Sequence, residues 1–227
     1  MPEDAGDVVA LIPARGGSKG ILRKNLALLA RRPLLQWALD AARAAETVTR
    51  IVVSTDDDEI AAAAGDAEVL RRPKELAEDE TPMLDVIRHA VRELGTPDVI
   101  VLLQPTSPLR RAEHIDAAVR LLLETGADTV VSVVEVPHRY DPDALMELEP
   151  SGRLIVRSQP ATRQQQPRLY ARNGPAVLAL RPERLGDVLY GGDVRAYVMP
   201  ERDSLDVDTP EDLELAAIML SPRQARI

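Results

Sequence analysis

From Val8 to Val134 the chain repeats one pattern: a short apolar run, a loop, then a stretch with apolar residues at helical spacing. Val8–Ile12, Arg50–Ser54, Asp98–Leu103 and Asp128–Val134 read as strands, because they are brief and nearly continuous in Val, Ile and Leu. Leu34–Glu46, Asp57–Ala64, Pro82–Leu94 and Ala112–Glu124 read as helices; the first places Leu35, Ala38, Leu39 and Ala42 on one face. Strands of this kind are buried on both sides, so their alternation with helices implies a mostly parallel central sheet covered by helices on both faces, an α/β fold.

After Val136 the pattern changes. Pro137, Pro142, Pro150 and Pro160 interrupt the chain, and Glu149-Pro150-Ser151-Gly152 reads as a turn between two short strands. The segment 137–172 is expected to be an arm outside the main sheet. Regular patterning resumes at Ala176–Leu180 and Val194–Met199, and Pro210–Leu220 closes as a helix capped by Asp208 or Thr209. At 227 residues the expectation is one domain, 1–227, with the arm inserted in it.

Composition narrows the function. A net charge of -9 argues against a general nucleic-acid binder. No apolar run reaches the roughly 20 residues of a membrane span. The absence of cysteine excludes disulfides and thiolate metal sites and fits a cytoplasmic setting. Of 28 basic residues only Lys19, Lys24 and Lys74 are lysine, and the only asparagines are Asn25 and Asn173. Three of these five scarce residues fall between positions 19 and 25, which is either chance clustering or a segment that needs a compact ammonium and an amide in particular.

That segment, Pro13 to Asn25, directly follows the first strand, at the end where open α/β sheets bind ligands. Gly16 and Gly17 allow backbone N–H groups near phosphate, and Arg15, Lys19 and Lys24 bring three cations to one loop. It is neither a P-loop, since Gly20 follows Lys19, nor a dinucleotide fingerprint, and the alternative to a phosphate site is an ordinary glycine-rich connection with solvated charges. Asp206-Val207-Asp208 admits two readings. In extended chain its carboxylates face one way and suit a shared Mg²⁺; alternatively it is a solvated acidic turn before the last helix. Gln104 to Arg110, a loop stiffened by two prolines, is either a ligand-contacting loop or a plain connection. The Asp56–Glu59 run reads as a helix N-terminus, and His89, His114 and His138 suggest no metal site.

Taken in order, these segments resemble the acylneuraminate cytidylyltransferase family. Ile12 to Asn25 resembles its opening I-P-A-R-x-x-S-K-G-x-x-x-K-N, and Leu102 to Arg110 is similar to its L-L-Q-P-T-S-P-L-R letter for letter. Arg72-Pro73 with Glu75, Leu76, Ala77 and Asp79 resembles R-P-x-E-L-A-x-D. Ser204 to Thr209 resembles S-I-D-I-D-T, and Arg163-Gln164 with Asn173-Gly174 resembles R-Q…N-G. The resemblance implies a nucleotidyltransferase sandwich with a protruding arm that builds a homodimer. It implies transfer of CMP from CTP to the anomeric hydroxyl of a sialic-acid-like, acidic nine-carbon 2-keto sugar, releasing pyrophosphate. Arg15, Gly16, Gly17, Ser18, Lys19, Lys24, Asn25 and Arg72 would hold the nucleotide; Arg15, Lys24 and Asp208 would carry catalysis. Asp206 and Asp208 would bind Mg²⁺, and Gln104, Arg163, Tyr170 and Asn173 would line the sugar pocket. A Kdo-type synthetase, a sugar-1-phosphate nucleotidyltransferase and a non-catalytic nucleotide-binding protein on the same fold are the alternatives. Pro175-Ala176-Val177 and Ala171 depart from the family pattern beside the sugar pocket and leave the sugar's identity open.

Overall fold

The computed structural model describes residues 6–140, 142–156 and 167–221. In chain order the elements are β1 (Val8–Pro13), a small hairpin of β2 (Leu28–Leu29) and β3 (Arg32–Pro33), α1 (Leu34–Ala44), β4 (Arg50–Thr55), α2 (Asp58–Ala63), β5 (Glu68–Arg71) and α3 (Met83–Leu94). There follow β6 (Val99–Leu102), α4 (Ala112–Thr125), β7 (Thr129–Glu135), a second hairpin of β8 (Met146–Leu148) and β9 (Leu154–Val156), β10 (Tyr170–Arg172), β11 (Leu178–Leu180), β12 (Val194–Val198) and α5 (Pro210–Leu220).

Eight strands form one sheet. β5, β4, β1 and β6 lie side by side and parallel, then antiparallel β11, then β7, with β12 parallel to β7. β11 and β12 pair with the same residues of β7 and so occupy its two edges. Side chains alternate across the sheet. Val8, Ala10 and Ile12 pack with Leu35 and Leu39 of α1 and with Ile115, Val119 and Leu122 of α4. Val9 and Leu11 pack on the other face with Ile87 and Ala90 of α3. Helices therefore cover both faces, the α/β sandwich that the strand–helix alternation implies.

The arm differs from expectation at its end. Tyr170–Arg172 is not outside the sheet: it pairs antiparallel with Val133–Glu135 of β7, on the edge that β11 also uses. β7 is longer than β11, so its far end offers unpaired backbone groups, and the returning chain satisfies them. The excursion thus leaves after Glu135 and returns at Leu169, whose carbonyl accepts from Val136 N at 2.8 Å. Within it β8 and β9 form an antiparallel hairpin over the turn read from Glu149 to Gly152.

Candidate active site

The phosphate-type loop, the Gln104 loop and the acidic segment meet at the carboxyl ends of β1 and β6, around a cavity of about 550 Å³. Arg15, Gly17, Ser18, Lys19, Lys24, Asn25, Arg72, Gln104, Asp206 and Asp208 all line it. Gly16 does not; its N–H donates to Asp56 Oδ1 at 3.0 Å and fixes the loop from behind.

Residues far apart in sequence hold this geometry. Asn25 Nδ2 donates to the carbonyl of Arg15 at 2.9 Å and folds the loop upon itself. Arg23 reaches Asp57 at 3.0 Å and Glu59 at 2.8 Å. Asp57 is also the N-cap of α2, accepting from Glu59 N and Ile60 N. The acidic run is therefore a helix start, as its sequence suggests, and a clamp on the loop besides. Arg72 is 7% exposed and donates to Ser54 O at 2.8 Å and Leu76 O at 3.3 Å. Burial holds its guanidinium below the ordinary arginine value, countered in part by Asp56.

The acidic segment is fixed by its middle residue. Val207 is fully buried against Leu29, Leu34 and Ala216, its N–H donates to Thr106 O at 2.7 Å, and its carbonyl accepts from Lys24 Nζ at 3.1 Å. With Val207 turned inward, Asp206 and Asp208 face the cavity. The backbones of the two loops approach closely: a Cβ on Gly20 would lie 2.5 Å from the carbonyl oxygen of Asp208. Lys24 Nζ sits 2.8 Å from Asp208 Oδ1. Asp206 is more deeply placed. Burial pushes its carboxyl above the usual carboxylate range, against a hydrogen bond from Thr106. Its Oδ1 is buried without a hydrogen-bond partner. A buried carboxylate oxygen with no donor, beside a second carboxylate, is the donor set a hard cation takes. Among the described residues no group of three His, Cys, Asp or Glu side chains is placed to hold a metal. Any cation here would need further oxygens from its ligand, as Mg²⁺ commonly takes from phosphates.

The expected sugar residues divide. Gln104 lines the cavity. Tyr170 lies on β10, 44% exposed and outside the cavity lining. Asn173 is 5% exposed and saturated internally. Its Oδ1 accepts from Ser132 Oγ at 2.7 Å, and its Nδ2 donates to Ser204 Oγ at 2.9 Å and to Met199 Sδ at 3.3 Å. It ties β7 to the segment before the acid pair rather than lining the cavity. Arg163 lies outside the described residues. Asp79, Met83 and, within the Gln104 loop, Thr106 line the cavity as well. Asp79 was legible only as one letter of a motif, and nothing in the sequence pairs it with Arg15 and Lys19, which it bridges at 2.6 and 2.7 Å.

Residues 9–216 match the family model described as cytidylyltransferase. The chain belongs to the cytidylyltransferase family. Among curated proteins it is 33% identical over 215 residues to the N-acylneuraminate cytidylyltransferase of Escherichia coli O18:K1:H7, covering 92% of this chain and 51% of that protein. It is 35% identical over 217 residues to N-acylneuraminate cytidylyltransferase A of Danio rerio, covering 92% and 50%. This cytidylyltransferase-family chain thus spans about half the length of the curated relatives it matches. Two solved structures share its fold. One is a CMP:2-keto-3-deoxy-manno-octonic acid synthetase complexed with CTP, with TM-score 0.71 and 18% identity over 94% of this chain and 98% of that one. The other is a 4-diphosphocytidyl-2C-methyl-D-erythritol synthase from Anaerococcus prevotii, with TM-score 0.62 and 12% identity over 96% and 97%.

Proposed function

We propose that this chain transfers CMP from CTP to the anomeric hydroxyl of a sialic-acid-like nonulosonic acid and releases pyrophosphate. The observation that carries this reading is the meeting of Arg15, Lys19, Lys24 and Arg72 with Asp206, Asp208 and Gln104 around one cavity. Four cations suit a triphosphate, and the curated relatives carry the N-acylneuraminate name. Arg15, Lys19 and Lys24 would take up charge that builds on the departing pyrophosphate. Gln104 would orient the sugar from the opposite loop. Asp206 and Asp208 are the residues that would hold Mg²⁺. The chemistry such a cation supplies is charge neutralisation and polarisation of phosphoryl oxygens.

The reading includes a cytoplasmic homodimer. Leu145, Met146, Leu148, Leu154, Ile155 and Val156 on and beside the β8–β9 hairpin are all exposed in the single chain. An isolated hairpin is marginal in water, and its twin in a two-fold pair offers a self-complementary cover. Light scattering should return about twice the 24.8 kDa chain mass, and a fully active monomer would remove this part of the reading.

The deciding experiment measures pyrophosphate release from CTP and GTP with sialic, legionaminic, pseudaminic and Kdo-type acids. Release is expected with CTP, a nonulosonic acid and Mg²⁺ together. Preference for a Kdo-type acid or a sugar phosphate would reassign the acceptor, and absence of release with every pair would reduce the chain to a nucleotide binder.

A further inference from the structure

The loop between β5 and α3 folds back over the phosphate-type loop. Arg72 at its start donates to Leu76 O, Arg15 Nη1 reaches Ala77 O at 3.4 Å, and Thr81 Oγ1 donates to Glu75 O at 3.2 Å. These contacts bring Asp79 to the cavity wall. Its two oxygens are divided between two cations: Oδ1 lies 2.6 Å from Arg15 Nη2 and Oδ2 lies 2.7 Å from Lys19 Nζ. The Lys19 and Arg15 partners hold the Asp79 carboxyl below the usual carboxylate range. Lys19 is otherwise 82% exposed, and Asp79 is its only ion-pair partner among the described residues.

A carboxylate that splits its oxygens between two cations neutralises them as a phosphoryl group would. We propose that Asp79 is a displaceable internal counter-ion for the polyphosphate subsite: it keeps Arg15 and Lys19 aimed into the cavity, and it competes with bound phosphate for both. The proposal rests on the reading of this cavity as a triphosphate site. Its consequence is kinetic as well as thermodynamic. An entering triphosphate must displace Asp79, and its larger charge and further contact with Lys24 offset that loss. A departing pyrophosphate is replaced at once by an anion already tethered to the protein at high effective concentration. Asp79 thus weakens the hold on the leaving product without removing any cation from the site.

The test is calorimetric binding of inorganic triphosphate and inorganic pyrophosphate to the wild type, to Asp79→Asn and to Asp79→Ser at low ionic strength. Glu80→Gln, which loses the same charge at the adjacent position, where the side chain is outside the cavity lining and makes no ion pair among the described residues, controls for net charge. Both Asp79 variants should bind each anion about 3- to 10-fold more tightly, the scale of losing one or two partly exposed pairs. The gain should shrink at high salt, and Glu80→Gln should match the wild type. Pyrophosphate should also become a stronger product inhibitor of the Asp79 variants. Wild-type binding with unchanged or weaker binding to both variants would overturn the role of Asp79 alone. No triphosphate binding by the wild type would overturn the reading of the cavity itself, and this inference with it.

Discussion

Gly20→Ala tests whether the approach of the phosphate-type loop to the acidic segment is needed for turnover. The added Cβ would stand 2.5 Å from the carbonyl oxygen of Asp208, whereas ordinary contact begins at 3.4 Å. The two backbones must therefore part by about 0.9 Å, the difference between those distances (3.4 − 2.5). Neither side is a flexible side-chain tip. Gly20 lies between Lys19 and Lys24, and Asp208 pairs with Lys24, so the displacement falls on the groups proposed to meet the triphosphate. Misplacement by about 1 Å costs on the order of 10²-fold in rate. The stability cost of overpacking is about 1 to 3 kcal/mol, or about 2 to 12 °C in Tm at this chain length. Pyrophosphate release under saturating CTP and sugar measures the first, and a calorimetric melt the second. Gly186→Ala is the control, because a Cβ there meets nothing within 4 Å and the residue lies outside the cavity lining. Retention by Gly20→Ala of more than about a third of wild-type kcat would refute the reasoning, as would an equal loss in Gly186→Ala.

Asp208→Ala should lower kcat by about 10²-fold or more with the fold intact by circular dichroism, since one member of the proposed Mg²⁺ pair is lost; near-normal turnover would sink that assignment. Lys24→Arg should raise the KM for CTP although charge is kept, because the 15%-exposed ammonium is fitted between Val207 O and Asp208 and a planar fork does not fit the same place. Wild-type kinetics would remove the argument from lysine scarcity. His114 predicts a pH effect on stability. Burial, helped by Arg111, holds its imidazole below the ordinary value of 6.5, so the unfolded chain takes up a proton that the folded chain refuses. Stability should fall as pH drops below about 6.5, and His114→Gln should flatten that slope in urea titrations at pH 7.5 and 5.5.

The architecture was legible because burial on both faces of a parallel sheet leaves a direct trace: Val99–Leu102 is wholly apolar and wholly buried. The acid pair and the cation loop were legible because each is local, a few residues whose spacing sets their geometry. Contacts between distant loops left no such trace. Asp57 is visible as a helix cap but not as the partner of Arg23, and Asp79 is a single acid among Glu78 and Glu80 until folding brings it to Arg15. Asn173 is the reverse case. The family resemblance places it in the sugar pocket, and here its amide bonds Ser132 and Ser204 inside the protein. β10 was missed because Tyr170-Ala171-Arg172 is too short and too polar to read as a strand until the spare edge of β7 is known.

The way the arm leaves and rejoins β7 separates two things that are often entangled. Its entry and exit are hydrogen-bonded neighbours, Val136 N to Leu169 O, so the insertion begins and ends at one spot. The sheet on either side is in register whatever lies between. Because closure entropy grows only slowly with loop length, the excursion can lengthen, shorten or be exchanged for a tight turn at little cost to the folded body. The arm is therefore a replaceable module in this architecture, able to change while the loops that meet at the cavity stay where the sheet puts them.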